Sequence, residues 1–411
     1  MMKQTKEKQL LKNSCVFFVF CLFFCQGFIS CTNKEISLNL PDEISYQRKA
    51  LVQLKLPNNL QNVPLRLMGK DSKETFEVPY QIQEQTMYWL SNEEPTSYSI
   101  LKQAPTKKMK IEIKQREGQI EVLQNDNKIV GYQMAVKNPP EGINPAYKRS
   151  GYLHPINTPK GKRLTQIQPK DHYHHYGIWN PWTHTLFEGD TLDFWNLAKE
   201  QGTVRFAKLL KQESGAVFSS FKVLHEHVVL KKGKEKVALN ETQEIKIIPI
   251  NQNQYLMDIT LQYECATNLP FTIIQYRYAG FGWRTTEEWD NQNSRVLSSE
   301  GKTRKNADGS TARWCIVDGK LGDSYGGAVM LSHPENYNHP EPLRVWPENQ
   351  YGRGDLFVNF ATTKTTDWVL NPGKKYNLKY QLLIYDGKIE IEDVEKKWKQ
   401  FASPIEYQIN L

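Results

Sequence analysis

Beyond its first thirty residues the chain is dominated by short runs in which apolar and polar positions alternate, the period of a strand with one face buried. Met109-Lys110-Ile111-Glu112-Ile113-Lys114, Phe221-Lys222-Val223-Leu224 and Glu244-Ile245-Lys246-Ile247-Ile248-Pro249-Ile250 show it, and longer runs extend from Tyr255 to Tyr263 and from Leu378 to Tyr385. Turn pairs separate them: Asp308-Gly309, Asp318-Gly319, Pro372-Gly373 and Asp386-Gly387. Helical spacing is clear in one place, the tail, where Ile391, Val394, Trp398 and Phe401 fall on one face. The pattern predicts an all-β protein of sandwich type with a short C-terminal helix. Residues 31–105 read as a small Ig-like β module with a linker. Its clearest strands are Leu51–Leu56 and Glu77–Gln83, and Gln103–Lys108 forms the linker. Residues 106–411 read as a large β-sandwich, without internal repeats or low-complexity segments.

The first thirty residues follow a different rule. Lys3, Lys6, Lys8 and Lys12 precede an apolar run from Val16 to Phe24, too short to span a bilayer comfortably, and then Phe28-Ile29-Ser30-Cys31. This is the layout of a secretory signal peptide. The end resembles a bacterial lipobox, with Phe28 where Leu is usual, and implies lipidation at Cys31. An acylated N-terminal cysteine would hold the body at a membrane surface, so the expected location is the cell envelope, at the outer membrane or the periplasmic face. Thr32 fits sorting to the outer membrane.

Composition narrows the functional classes. The whole chain carries +8; without residues 1–30, which hold four lysines and Glu7, it carries +5. The charge is dispersed and forms no nucleic-acid-binding stripe, but it suits an anionic substrate such as a uronate or sulfated glycan. Of six cysteines only Cys265 and Cys315 lie in the body. They have no zinc spacing, and pairing and two free thiols remain equally open.

The nine histidines are unevenly placed. Four fall in Asp171-His172-Tyr173-His174-His175-Tyr176-Gly177-Ile178-Trp179-Asn180-Pro181-Trp182-Thr183-His184, shortly before Asp193-Phe194-Trp195. Imidazole, carboxylate, phenol and indole together are costly to bury without purpose. In an extended strand His172 and His174 would share one face, and Asp171, Tyr173 and His175 the other. Three readings stay open: acid–base catalysis, metal binding through His172, His174 and His175, and a purely structural tie. Two further polar-aromatic stretches could line a cleft. One is Ser332-His333-Pro334-Glu335-Asn336 with His339-Pro340, Arg344, Trp346 and Tyr351; the other runs from Gln275 to Arg284 and holds Arg277 and Arg284.

Asp171-His172-x-His174-His175-x-Gly177-Ile178-Trp179 with Asp193-Phe194-Trp195 resembles the histidine signature of the bacterial PmoA-like family, often labelled methane oxygenase, and Ser332–Asn336 with His339-Pro340 resembles its closing stretch. The likeness runs from about residue 110 to 385. Two positions depart from it: Tyr173 replaces a usual Pro, and Tyr176 a usual Arg, which removes a cation. Copper methane oxygenation belongs to an integral membrane machine, and no apolar run of this body can span a bilayer. What the resemblance implies instead is work on polysaccharides, beside sugar oxidoreductases and glycan-acting lipoproteins.

The expected function is therefore a carbohydrate-active envelope lipoprotein acting on oligosaccharides from plant or algal polysaccharide. No paired-carboxylate signature of a conventional glycosidase stands out, and the His, Tyr and Arg content suits proton abstraction beside a carboxylate, as in a lyase or dehydratase. His172 or His175 would be the base and Tyr176 or His333 the acid. Arg277, Arg284 and Arg344 would bind an acidic group, Trp179 and Trp195 would stack on sugar rings, and Asp171 and Asp193 would orient imidazoles. No cofactor is required. The alternatives are a glycan-binding lipoprotein without turnover and a hydrolase, metal-assisted or not.

Overall fold

Alternation is carried furthest in Lys234–Asn251, where apolar residues such as Ile245 and Ile247 are buried and Glu244 and Lys246 beside them reach solvent. In the computed structural model this strand lies near the middle of an eight-stranded antiparallel sheet. From one edge to the other the strands are Gly202–Glu213, Ser219–Lys231, Lys234–Asn251, Gln254–Cys265, Tyr376–Asp386, Ser324–Ser332, Trp314–Leu321 and Ser294–Ser298. The structure describes residues 35–38, 49–106, 111–124, 126–231, 233–404 and 406–408. The expected leader and expected lipidation residue Cys31 lie outside the described residues, as do Lys107 to Lys110 of the expected linker and of the run Met109–Lys114.

A nine-stranded sheet supplies the other layer: Thr311–Ala312, Glu341–Val345, Phe357–Phe360, Phe281–Arg284, Ile178–Trp179, Tyr152–Ile156, Asn127–Gln133, Gln119–Gln124 and Glu112–Arg116. The two sheets share one hydrophobic core, to which Val130, Tyr132, Ile178, Trp283 and Val358 come from one and Phe221, Ile245, Ile259 and Leu382 from the other. The architecture is the all-β sandwich that the alternation predicts.

Register in the nine-stranded sheet decides what its opposite face carries. Ile178 pairs with Trp283, Trp283 with Val358 and Val358 with Val345, and all four point into the core. Their neighbours Trp179, Arg284 and Phe357 therefore face away from it, because successive side chains in a strand alternate. Gly282, paired with Trp179, has no side chain on that face; a Cβ there would meet the Phe357 ring at 3.1 Å and Trp195 at 3.5 Å. The result is a second, smaller aromatic cluster of Tyr152, Tyr176, Trp179, Trp195, Trp346 and Phe357.

Residues 36–38 and 49–101 supply seven of the eight strands of two four-stranded sheets, around a core that includes Val52, Leu54, Leu67, Trp89 and Ile100. One of these sheets gains a strand from far along the chain: Glu406–Gln408 pairs in parallel with Leu51–Lys55. Before it comes the helix α1, Ile391–Ala402, at the place its periodicity predicts. Val394 is buried, and Trp398 and Phe401 pack on a cluster with Trp314, Leu331 and Leu383, but Ile391 stays half exposed at the first turn. Cys265 and Cys315 are both free thiols.

Candidate functional site

The histidine stretch is not an extended strand. His172 N–H donates to the Pro169 carbonyl at 2.9 Å and His175 N–H to the His172 carbonyl at 3.0 Å, so two tight turns follow one another. Gln168 N–H closes the loop on the His175 carbonyl at 2.8 Å, and Gly177, with φ of +57°, turns the chain into Ile178–Trp179. Alternation along a strand would send His174 and His175 to opposite faces; the turns gather them instead. The three rings lie against one another, with centroid separations of 4.7 Å for His172–His175, 4.8 Å for His174–His175 and 5.2 Å for His172–His174.

The rings sit on the aromatic cluster. His175 meets Trp179 and Phe357 at 5.1 Å each and Trp346 at 5.5 Å, while His172 meets Trp346 at 4.9 Å. Tyrosines form the margin: Tyr351 beside His172, Tyr147 beside Tyr173 and His174, and Tyr278 beside Trp195. Tyr351 is 55% exposed, so the cluster meets solvent there.

A chain of polar contacts crosses this apolar setting. Asp171 Oδ2 lies 2.9 Å from His172 Nδ1, and the Tyr351 hydroxyl 3.1 Å from His172 Nε2. A carboxylate can only accept, so Nδ1 carries a proton, and in the neutral ring Nε2 accepts from the phenol. Behind Asp171, Arg284 reaches the carboxylate at 3.0 and 3.1 Å, and its guanidinium lies 4.9 Å from the Trp346 ring centre. Burial works against the Asp171 charge, but the His172 contact and Arg284 outweigh it and hold the carboxyl down at about 2. Burial likewise lowers His174 to about 4 and carries His175 well below the usual imidazole range, so both are neutral near pH 7. His175 Nδ1 is buried with no hydrogen-bond partner among the described residues. One ring nitrogen from each of His172, His174 and His175 falls within 4.8 Å of the others, a grouping able to hold a metal ion.

Of the residues singled out in the sequence, the fold brings together Asp171, His172, His174, His175, Trp179, Trp195 and Arg284. Their positions refine several roles. Arg284 is buried and engaged by Asp171, so it anchors the chain from behind. Asp193 contacts no imidazole through a hydrogen bond: it accepts from the backbone of Trp195 and Asn196 and from Lys199 Nζ, and so fixes the turn that presents Trp195. Arg277 is exposed between Tyr276 and Tyr278, on the margin that continues to Trp195.

Other candidates lie apart. Tyr176 is fully buried, donates to the Tyr147 carbonyl and accepts from Gln168 at 3.0 Å; it braces the loop from beneath. Near its ring lies the buried Arg149 guanidinium, a cation that no motif marks. His333 packs on Phe401 of α1, and Arg344 is held by Asp308 at 2.7 Å. Sequence reasoning passed over Tyr351 and Trp346 as site residues, although both stand in a quoted polar-aromatic stretch, and it did not mark Phe357, Tyr147 or Tyr278. What joins Tyr351 to His172, 179 residues away, is sheet register, which local pattern does not contain.

A sequence profile covers residues 119–399, which include the histidine loop, Arg284, Trp346, Tyr351 and most of α1. The chain belongs to DUF6807, a family of unknown function. The profile begins after the small N-terminal module. No curated protein matches the chain. Among solved structures, heparan sulfate lyase HepC from Pedobacter heparinus is 11% identical, with 71% of this chain and 38% of the lyase covered and a TM-score of 0.34. This chain thus spans well under half of the lyase's length. A galactose mutarotase related enzyme from Lactobacillus acidophilus is 6% identical, with 68% and 100% covered and a TM-score of 0.33. Galactose 1-epimerase from Lactobacillus acidophilus NCFM is 9% identical, with 69% and 99% covered and a TM-score of 0.33. Scores this low carry no functional argument for the DUF6807 chain.

Proposed function

We propose that this protein is a carbohydrate-active enzyme that removes a proton beside a carboxylate on an oligosaccharide and expels the oxygen on the adjacent carbon, as a lyase or dehydratase does. The observation that supports this is the Asp171–His172–Tyr351 chain, set among tryptophans and open to solvent at Tyr351. His172 takes the phenol proton through Nε2, and the phenolate abstracts the proton of the substrate carbon. The electron pair forms the new C=C bond, and the departing oxygen leaves with a proton returned through the same chain. Tyr351 thus takes the acid's part in place of Tyr176, which is buried and bonded to Tyr147 and Gln168, and of His333, which packs on Phe401, and His172 is preferred to His175 because His175 is covered. Arg277, exposed on the aromatic margin, is the cation placed to meet the substrate carboxylate. Tyr351, Tyr173 and Tyr147 offer flat apolar faces to sugar rings.

The same proposal places the protein in the cell envelope, lipidated at Cys31, and extends the resemblance of its histidine signature to the PmoA-like family. Among the described residues no helix is long and apolar enough to cross a membrane.

The test is mass spectrometry of neutral, uronate-containing, sulfated and lyase-treated oligosaccharides incubated with residues 35–411, which form one compact unit. Loss of one water from an intact chain identifies a dehydratase, and cleavage without water a lyase. Tyr351→Phe should abolish either product while leaving the fold unchanged. Unchanged masses with every glycan, or full activity in Tyr351→Phe, would refute the assignment.

A further inference from the structure

We infer that His172, His174 and His175 form a binding site for one divalent transition-metal ion of the zinc, cobalt or nickel kind. Three nitrogens lie within 4.8 Å of one another, yet among the described residues no hydrogen bond joins any two of the rings. His172 is engaged from outside the group, by Asp171 and Tyr351, but nothing compensates the three rings for facing one another. His175 Nδ1 is the sharpest instance: it is buried and has no partner, and leaving such an atom unsatisfied costs about 1–3 kcal/mol. A cation among the rings would supply what is missing.

The surroundings match what metal-binding histidines need. Asp171 engages Nδ1 of His172 from behind and leaves Nε2 forward, which is how a carboxylate commonly fixes a ligating histidine, and Arg284 in turn fixes Asp171. The consecutive turns that gather the rings are backbone hydrogen bonds, so the arrangement does not depend on an ion to assemble it. An all-imidazole set selects borderline metals; magnesium and calcium prefer oxygen. With bonds of about 2.0–2.1 Å in a tetrahedral site the nitrogens would stand roughly 3.3–3.5 Å apart, so a separation at the 4.8 Å limit would contract by about 1.3–1.5 Å on loading. Three protein ligands would leave a fourth position for water or another ligand. An ion held by His172 Nε2 would take the lone pair that meets the Tyr351 hydroxyl at 3.1 Å, so a loaded site and the His172–Tyr351 proton relay exclude each other.

This inference goes beyond the carbohydrate reading and does not need it, because metal binding is measured without any glycan. Residues 35–411, free of any histidine tag and stripped with chelator, are titrated with Zn(II) alone by calorimetry, and with Co(II) alone by visible absorption. One equivalent should bind, raise Tm and give cobalt bands of a four- or five-coordinate nitrogen site. Asp171→Asn should weaken binding about 10–100-fold, and His174→Ala more than that. His174 is only partly buried, so its variant should fold; circular dichroism checks this, and His172→Asn serves as a second variant. Absence of stoichiometric binding would overturn the site, and so would binding that is unchanged in folded His174→Ala and His172→Asn.

Discussion

The guanidinium of Arg284 meets the carboxylate of Asp171 at 3.0 and 3.1 Å. The arginine side chain is 2% exposed and the aspartate side chain 23%, so the pair is asymmetric: water can reach the anion but hardly the cation. Removing the anion leaves the buried guanidinium with only Asp355, 3.9 Å away, a loss toward the lower end of about 3–5 kcal/mol, whereas removing both charges costs far less. Asp171→Ala should therefore lower stability in chemical denaturation by roughly that amount, and Asp171→Ala with Arg284→Met should recover most of it. The double variant should remain inactive, because His172 has lost its orienting partner. Acid gives a second readout. The Asp171 carboxyl is depressed in the folded protein to about 2 from an ordinary value of 3.8, so its stabilisation is complete above about pH 4 and is lost as pH falls toward 2. The Asp171→Ala variant should show a shallower fall in that window.

Gly177 is where the histidine loop enters the sheet, and its φ of +57° is the left-handed region that a side chain disfavours. A Cβ there would also stand 2.3 Å from the Leu153 carbonyl oxygen, an atom held in the neighbouring strand. Conformation and contact act in the same direction. Gly177→Ala should lose about 2 kcal/mol or more by thermal or denaturant unfolding, with weakened activity because the rings before it lose their seat. Gly142→Ala, at a similar φ of +79° but with nothing within 4 Å, should lose measurably less. Equal losses at the two positions would show that the Leu153 contact does not matter.

The fold was legible because burial on one face leaves a period of two, and Lys234–Asn251 or Gln254–Cys265 announce it without help. So was part of the candidate site's make-up: Asp171, His172, His174 and His175 are adjacent in sequence, and a polar-aromatic run is expensive wherever it folds. The geometry was not legible. Whether His174 joins His175 depends on two i to i+3 turns, which the run does not signal with Gly or Pro between its histidines. Tyr351, Trp346 and Phe357 arrive through the pairing of Phe281–Arg284 with Phe357–Phe360 and of Leu343–Val345 with Val358–Phe360. His333 misled for the opposite reason. Its motif is rich in hydrogen-bonding groups, and the fold spends them on structure: Asn336 caps the edge at Lys379, and buried Glu341 is satisfied by Ser332, Asn336, Thr362 and Tyr380.

Cys315 is buried and its thiol is pushed up to about 12 by that burial, while Cys265 is partly exposed and directs its sulfur to the Leu370 carbonyl at 3.2 Å. Neither has the thiolate character that makes cysteine reactive near neutrality. Residues 35–411 should therefore release two thiol equivalents to a disulfide reagent in denaturant without reductant, and in the native state at most one, slowly, from Cys265. A denatured count of zero would mean that the two are paired and that the strands carrying them sit differently.

Lys397 of α1 donates to the Lys49 carbonyl at 2.9 Å and to Gln400 Oε1 at 3.0 Å, with no carboxylate in contact among the described residues. Burial lowers its ammonium to about 8, against 10.5 for an ordinary lysine, with only a weak opposing pull from Asp393. The charged form is thus disfavoured by folding. Below pH 8 both folded and unfolded chains are protonated and the full penalty applies; between 8 and 10.5 the unfolded chain holds the extra proton, so stability rises with pH and the penalty disappears. Lys397→Met keeps the aliphatic stem and removes the titration. Relative to this variant, the wild-type chain should gain in Tm from pH 7.5 to pH 10 by about 2–4 °C, the shift that roughly 2 kcal/mol gives in a chain of this size. Comparing the two proteins at each pH cancels every other titrating group. A difference that stays flat across this range would mean that Lys397 reaches water and that α1 seats less deeply against the backbone at Lys49.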